Sequence, residues 1–395
     1  MLTVLGIVLT AFALLVLVPT LVFFGEILAG CLLSDSKAQK IDFPPGSLAV
    51  LIPAHNEASG IKATIEDVKP QLRPQDRLLV VADNCSDDTA GVAASQGAEV
   101  SVRKDLTRIG KGYALDWGIK YLAPAAPDII VVIDADCRIS DGSIQNLSAE
   151  CSSTGRPVQA LYLMHAVPGS PINQQVAQFA WRVKNLVRPL GLHKLKLPCQ
   201  LMGTGMAFPW EIIKSANLSN DFIVEDMKLG LELAAQGKTP LFCPSALVTS
   251  TFPTSDKGTK DQRQRWEQGH ISLIMSTAPK LIHAAIQRRD VKLFALALDL
   301  SVPPLSLLVS ILTAAAMATA FAAFTGLSAN PLILIAVCLV LVAAAVLISW
   351  IKHGRDVLPL RDLVLIAPYV AKKLSLYAAL ATGRRVLGWI RTDRS

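Results

Sequence analysis

The residues from Leu2 to Phe24 carry no charge. A second apolar region runs from Leu293 to Phe324, broken only by Asp299 and the Pro303-Pro304 pair, and a third runs from Pro331 to Trp350. About 20 apolar residues cross a ~30 Å hydrocarbon core as a helix, so these runs predict one span near the start of the chain and two toward its end. The second should begin near the prolines, which helix interiors do not accommodate. With 52% hydrophobic and 17% charged residues in 395, the chain is too apolar for a disordered protein or an ordinary soluble enzyme, where ~25% charge is usual.

Leu28-Ala29-Gly30-Cys31 looks like a lipoprotein cleavage box. Against a cleaved signal, no Lys or Arg precedes the apolar run and Glu26 lies between run and box, so a retained span is the expectation. The seven cysteines form no C-x-x-C pair and no zinc spacing with His, which suggests reduced thiols in a reducing compartment.

The net charge of +7 lies wholly in residues 287–395, where twelve Lys and Arg face five Asp. A basic surplus beside apolar spans fits an anionic membrane face and argues against nucleic acid as a partner. The loop Thr325 to Asn330 is uncharged, whereas Lys352, His353 and Arg355 follow the third span. The positive-inside rule then places the middle region in the cytoplasm, in a protein of the cell (inner) membrane. Beyond Arg355, Leu363, Ile366, Val370, Leu374 and Tyr377 recur at steps of three and four opposite Arg361, Asp362, Lys372 and Lys373. That pattern reads as an amphipathic helix in the interface, with a short fourth span as the alternative. The expected plan is a membrane helix in 1–33, a cytoplasmic domain in 46–286 and a membrane region in 287–395.

In the middle, Leu48 to Ile52, Arg77 to Ala82, Glu99 to Val102 and Asp128 to Ile133 read as strands separated by helical stretches. Strands that are apolar throughout imply a parallel sheet covered on both faces, and ligands of such sheets bind beyond the carboxyl ends of the strands. Those ends carry Pro53-Ala54-His55-Asn56-Glu57, Asp83-Asn84-Cys85-Ser86-Asp87-Asp88-Thr89 and Asp134-Ala135-Asp136. Asp87 or Ser86 has an ordinary explanation as a helix cap. Asp134 and Asp136, at alternating positions, would point the same way and suit a hard cation shared with a diphosphate. Glu225 and Asp226 open an apolar-periodic helix, where acids also favour the helix dipole. Gln262, Arg265 and Trp266 lie just before the membrane region; an Arg-Trp pair alone would be a cation–π contact. The basic run Trp181, Arg182, Lys184, Arg188, Lys194 and Lys196 reads as a solvated helix face, with lipid head groups or an anionic acceptor as the alternative.

In this order, from about Ala49 to Trp266, the segments resemble the membrane-bound family 2 glycosyltransferases, the group of cellulose, hyaluronan and chitin synthases and ceramide glucosyltransferase. The most specific elements are Gln262-x-x-Arg265-Trp266, the Asp134-x-Asp136 pair and Glu225-Asp226. The resemblance implies an α/β cytoplasmic domain of the GT-A fold inserted between transmembrane helices. It implies that Pro53, His55, Asn56 and Glu57 line the nucleotide pocket, that Asp83 contacts the donor base, and that Lys111 lies near the nucleotide. Asp116 stands where relatives carry Asn after that lysine. Asp136 would bind Mg2+ or Mn2+, Asp134 would hold the donor directly or through the metal, and Asp226, tuned by Glu225, would be the general base. Arg265 would offset diphosphate charge, Trp266 would seat the acceptor sugar, and Gly203, Thr204 and Gly205 would form a loop beneath the acceptor.

The function implied is inverting transfer from a nucleotide-diphosphate sugar, with UDP the expected nucleotide, to a lipid-linked or saccharide acceptor in exopolysaccharide or cell-envelope glycan synthesis. A processive synthase that extrudes its polymer is the alternative among enzymes, and a non-enzymatic membrane scaffold the alternative of another class. A transporter would show more spans, often in repeats.

Overall fold

The computed structural model describes residues 2–34, 46–167, 169–219, 222, 224–252 and 256–365. In chain order its first half contains α1 (Leu2–Leu32), β1 (Leu48–Ala54), α2 (Ile61–Val68), β2 (Arg77–Asp83), α3 (Thr89–Ser95), β3 (Glu99–Arg103), α4 (Lys111–Leu122), β4 (Ile129–Val132), β5 (Arg138–Ile139), α5 (Ser143–Thr154) and β6 (Val158–His165). There follow α6 (Ile172–Arg182), α7 (Arg188–Lys194), β7 (Met206–Pro209), α8 (Trp210–Ile213), α9 (Glu225–Ala235) and β8 (Leu241–Thr251). The remainder is helical: α10 (Asp256–Ser276), α11 (Ala278–Arg288), α12 (Val291–Ser301), α13 (Leu305–Phe324) and α14 (Asn330–His353).

The chain divides into two compact units. One is an eight-stranded sheet in the order β3-β2-β1-β4-β7-β6-β8-β5. Strands β3, β2, β1 and β4 are parallel, as expected. Beyond them the sheet is mixed, because β7 runs antiparallel to both β4 and β6. The short apolar run Met206–Pro209 gives no period from which its direction can be read. β1 is buried along nearly its whole length, as a central strand covered on both faces must be. Pro53 is tolerated there because β4 pairs with β1 only as far as Leu51, where the Ile133 amide donates to the Leu51 carbonyl, so no ladder bond is missing at the proline. One sheet face packs Leu51 and Val81 against Leu115 and Ile119 of α4 and Leu229 and Leu233 of α9. Those two helices bring their amino termini, Lys111 and Glu225, to the site.

The other unit is helical and includes α1, α6, α7 and α11 to α14. Three of its helices, Val4–Leu32, Leu305–Phe324 and Asn330–His353, are long and apolar enough to cross a membrane. The second begins just after the prolines, as expected. Its core joins Phe23 and Ile27 of α1 to Val187, Leu308, Ile335 and Val342. α1 and α7 meet backbone to backbone: a Cβ on Gly30 would lie 2.2 Å from the Val187 carbonyl oxygen, and one on Gly191 would lie 2.0 Å from that of Glu26. Glycine at both positions leaves room for that approach.

Residues 166–195, which the sequence places in one domain spanning 46–286, group with this helical unit. Their basic run is a solvated face only in part: Lys184 and Lys196 are exposed, whereas Arg182, Arg188 and Lys194 bond to protein groups. Arg188 is buried, its Nε donating to Glu26 Oε2 at 2.6 Å and its Nη2 to Asp299 Oδ1 at 2.5 Å. Arg182 pairs with Asp356, and Lys194 donates to the carbonyl of Gly30 in α1 and to that of Leu33 just beyond it. Charge periodicity alone cannot separate cations bound for water from cations bound for carboxylates distant in sequence. The amphipathic pattern beyond Leu365 falls outside the described residues.

Candidate functional site

The site is built at the carboxyl ends of β1, β2 and β4, and its floor is a laced pair of loops. His55 Nδ1 lies 2.7 Å from the Asp83 carbonyl oxygen, the Asn56 side chain accepts from the Ser86 amide at 2.7 Å, and the Glu57 amide donates to Thr89 Oγ1 at 2.8 Å. Asn56 and Asn84 adopt positive φ of 55° and 52°, which Asn tolerates better than most side chains. Asp87 accepts from the Thr89 amide at the start of α3 and from the Ala58 amide, while Asp88 holds the N-cap position without a side-chain cap bond.

Asp83 is buried, and Arg103 Nη1 donates to its Oδ1 at 2.6 Å. Burial pushes the Asp83 carboxyl upward, opposed by the Arg103 guanidinium. Arg103 also donates to Asp105 and to the Arg108 carbonyl, so the arginine is clamped before it clamps Asp83. Sequence reasoning missed Arg103, because the β2–β3 register that puts it opposite Asp83 is a tertiary fact.

β4 ends at Val132, so Asp134 and Asp136 lie in the turn beyond the strand and not at alternating strand positions. They converge nonetheless: one ligand atom each from Asp134, Asp136 and Cys137 lie within 4.8 Å of one another. Two carboxylates and a thiol at that separation fit a divalent cation of the Mg2+ or Mn2+ class, with the oxygens as the harder donors. Cys137, absent from the sequence-based candidates, directly follows Asp136. The Asp134 amide donates to Thr204 Oγ1 at 3.0 Å and the Gly205 amide to the Val132 carbonyl, folding the Gly203–Gly205 loop over the strand exit.

Across that loop stand the two helix amino termini. Lys111 Nζ donates to Asp134 Oδ1 and, at 2.6 Å, to the Gly203 carbonyl. Gly203 has φ +93°, and a Cβ there would lie 3.3 Å from Asp226 Oδ2 and 3.9 Å from Lys111 Nζ. Glycine thus supplies both a left-handed backbone and the room in which acid and lysine approach. Glu225 is pushed up to about 7, first by burial and then by the neighbouring Asp226 charge, with Lys111 opposing. Lys111, Leu115, Met206, Leu218, Glu225 and Asp226 are among the residues lining a small pocket. Gln262, Arg265 and Trp266 share one face of α10 at helical spacing,. Gln262 is buried, and the other two are half-buried.

A mainly parallel nucleotide-binding half, an antiparallel extension and acids gathered at the strand exits make up the GT-A arrangement. Residues 44–269 match the family described as "Glycosyltransferase like family 2", which is more than half of the chain, and the chain belongs to that family. It is similar to the probable glycosyltransferase YdaM of Bacillus subtilis, 26% identical over 247 residues that cover 58% of this chain and 56% of that protein. It is also similar to glucosyl-3-phosphoglycerate synthase of Mycobacterium tuberculosis, 35% identical over 96 residues covering 23% of this chain and 29% of that one. The chain thus spans little more than half the length of the first of these relatives. Among solved structures, the mannosyltransferase PcManGT of Pyrobaculum calidifontis, in complex with GDP-Man and Mn2+, aligns with 89% of this chain and 100% of its own at 17% identity and a TM-score of 0.48.

Proposed function

We propose that this protein is an inverting glycosyltransferase of the membrane-bound branch of family 2. It transfers a sugar from a nucleotide-diphosphate sugar, with UDP as the expected nucleotide, to a hydroxyl of a lipid-linked or saccharide acceptor in exopolysaccharide or cell-envelope glycan synthesis. The observation that carries the proposal is the convergence of Glu225 and Asp226 with Lys111 and Asp134 across Gly203, beside a pocket and at the strand exits.

The chemistry needs one proton acceptor and a means of holding a diphosphate. Asp226 takes the proton of the acceptor hydroxyl as its oxygen attacks the anomeric carbon. The bond from that carbon to the diphosphate oxygen breaks in the same step, so configuration inverts and the nucleoside diphosphate leaves. Glu225 keeps the acid pair near neutral in its proton affinity, where a base is most effective. Pro53, His55, Asn56 and Glu57 border the donor, and Asp83, fixed by Arg103, accepts a hydrogen bond from the base. Asp134 and Asp136 would hold a divalent cation, which when bound offsets the diphosphate charge; Arg265 offsets that charge further, Trp266 offers the acceptor ring an apolar face, and Gly203, Thr204 and Gly205 lie under it. We place the sheet unit in the cytoplasm and the three apolar helices in the cell membrane.

Mass spectrometry of products from a panel of nucleotide sugars, with and without chelator, tests the reaction. A glycosylated product that disappears when metal is stripped is expected, and full activity without metal would remove the cation from the scheme. Reconstitution in sealed vesicles should yield one or a few added sugars; long polymer protected inside vesicles holding only this chain would favour the processive reading. Ser328→Cys in a cysteine-free background should react with an impermeant thiol reagent from outside the cell.

A further inference from the structure

The proposed function gives Asp134 to the metal, and the family resemblance puts Lys111 near the nucleotide. In the structure these two side chains are bonded to each other. Lys111 is the first residue of α4, where the helix dipole is positive and disfavours a cation. It is held there by Asp134 and by the Gly203 carbonyl, with Glu225 and Asp226 close enough to act on it as charges. Asp136, a further acid of the cluster, sits beside Asp134 with its ligand atom inside the same 4.8 Å group. One ammonium therefore faces a set of carboxylates, on the very acid that a divalent cation would need.

We infer that Lys111 is a placeholder cation: it occupies Asp134 in the nucleotide-free protein, must be displaced for a divalent cation to bind there, and on release meets the diphosphate of the donor. This rests on the metal reading of Asp134 and Asp136 given above. A lysine suits the part, being a compact charge on a flexible stem that can exchange partners, where an arginine fork would be fixed. The consequence is a coupling. Metal binding alone must break the Lys111–Asp134 pair, whereas metal binding with a diphosphate gives the freed ammonium a new partner. By linkage each ligand then tightens the other by the same factor. The enzyme would keep its site closed to metal until the donor arrives, without any movement of the backbone.

The test is Mn2+ binding to the full chain in detergent or nanodiscs, read from the paramagnetic resonance signal of free Mn2+, with no nucleotide, with UDP and with GDP. Wild type should bind Mn2+ weakly alone and at least about tenfold more tightly with one of the nucleotides, which is about 1.4 kcal/mol of coupling. Lys111→Met should bind Mn2+ alone about tenfold more tightly than wild type and gain less from nucleotide than wild type does, the remaining gain coming from the diphosphate that shares the cation. Lys111→Gln, which keeps a donor for the Gly203 carbonyl, should behave the same way and guards against a folding defect in the first variant. Asp136→Asn should lose Mn2+ in every condition. If both Lys111 variants bind Mn2+ alone no better than wild type while Asp136→Asn loses it, the placeholder role is wrong and the metal site stands. If wild type takes up no Mn2+ even with nucleotide, or Asp136→Asn matches it throughout, the metal reading fails first and the inference with it.

Discussion

Two places in this molecule set one cation against several carboxylates, and they are built differently. In the helical unit, Arg188 lies between Glu26 and Asp299, and all three side chains are at most 8% exposed. In the sheet unit, Lys111 and Asp134 are 21% and 32% exposed, and Lys111 lines a pocket. The guanidinium makes fixed, directional bonds to two partners and closes its site completely. The ammonium makes bonds that can be exchanged, at a site with an opening. Enclosed ion pairs hold elements in place, because removing one partner strands a charge in low dielectric. Open ones can be handed from one partner to another, which is what a binding site requires.

The sharpest test of this contrast is loss of the acid beside the open cation. Asp226→Asn keeps the shape of the side chain and cannot take a proton, so turnover should fall by about 10²–10⁴, with donor binding near normal. If the variant retains more than about a tenth of wild-type turnover, a loss under ~1.4 kcal/mol, the base is elsewhere. Next, Arg188→Met should destabilise the helical unit by about 3–5 kcal/mol, as for breaking any buried pair. Thermal melting in detergent measures this. The triple change Glu26→Gln, Arg188→Met and Asp299→Asn should recover much of the loss, and equal melting of Arg188→Met and wild type would show that the enclosure is not structural.

A smaller effect is expected at Asp83, an enclosed pair that serves an open site. Arg103→Met leaves the Asp83 carboxyl buried without its guanidinium, and donor affinity should drop about tenfold, in the range of one hydrogen bond to a charged group. The effect should fall on KM with kcat little changed; a change confined to kcat would place Asp83 away from the donor.

The smallest effect concerns pH. Glu225 is raised from 4.5 to about 7, so between those values the folded chain holds a proton that the unfolded chain has released. Its contribution to stability therefore declines as pH rises through that window. Activity should rise over the same window, as the acid pair gives up its last proton. Glu225→Gln should flatten the stability slope and shift the acidic limb of kcat/KM to lower pH, since the like charge beside Asp226 is gone. An acidic limb that stays in place would separate Glu225 from the base.

Much of the architecture was legible because it rests on periodicity. Uncharged runs of span length marked α1, α13 and α14. Near-continuous apolar runs marked β1, β2 and β4, and the acids at their exits marked the site. What periodicity does not carry is pairing between distant segments. The antiparallel β7, the Asp83–Arg103 clamp, and the burial of Arg188 between residues far away on either side all depend on which elements meet. Asp134 and Asp136 are instructive in both directions, since their convergence was expected and the strand alternation offered as its cause was not what the fold used.

By itself, then, the sequence determined which segments are apolar enough for a membrane, which form the central sheet, and which acids gather at its exits, because these follow from local pattern and from the rule that ligands bind beyond strand ends. Only the tertiary structure decided what each charge faces. Arg188, just after the π-helical turn that joins α6 to α7, and Lys111, the first residue of α4, are both helical cations that face carboxylates. One is sealed between Glu26 and Asp299, and the other is set on Asp134 at the edge of a pocket. The reason is physical: the energy of a charge depends on its partners and on its access to water, and both are set by packing between residues far apart in the chain.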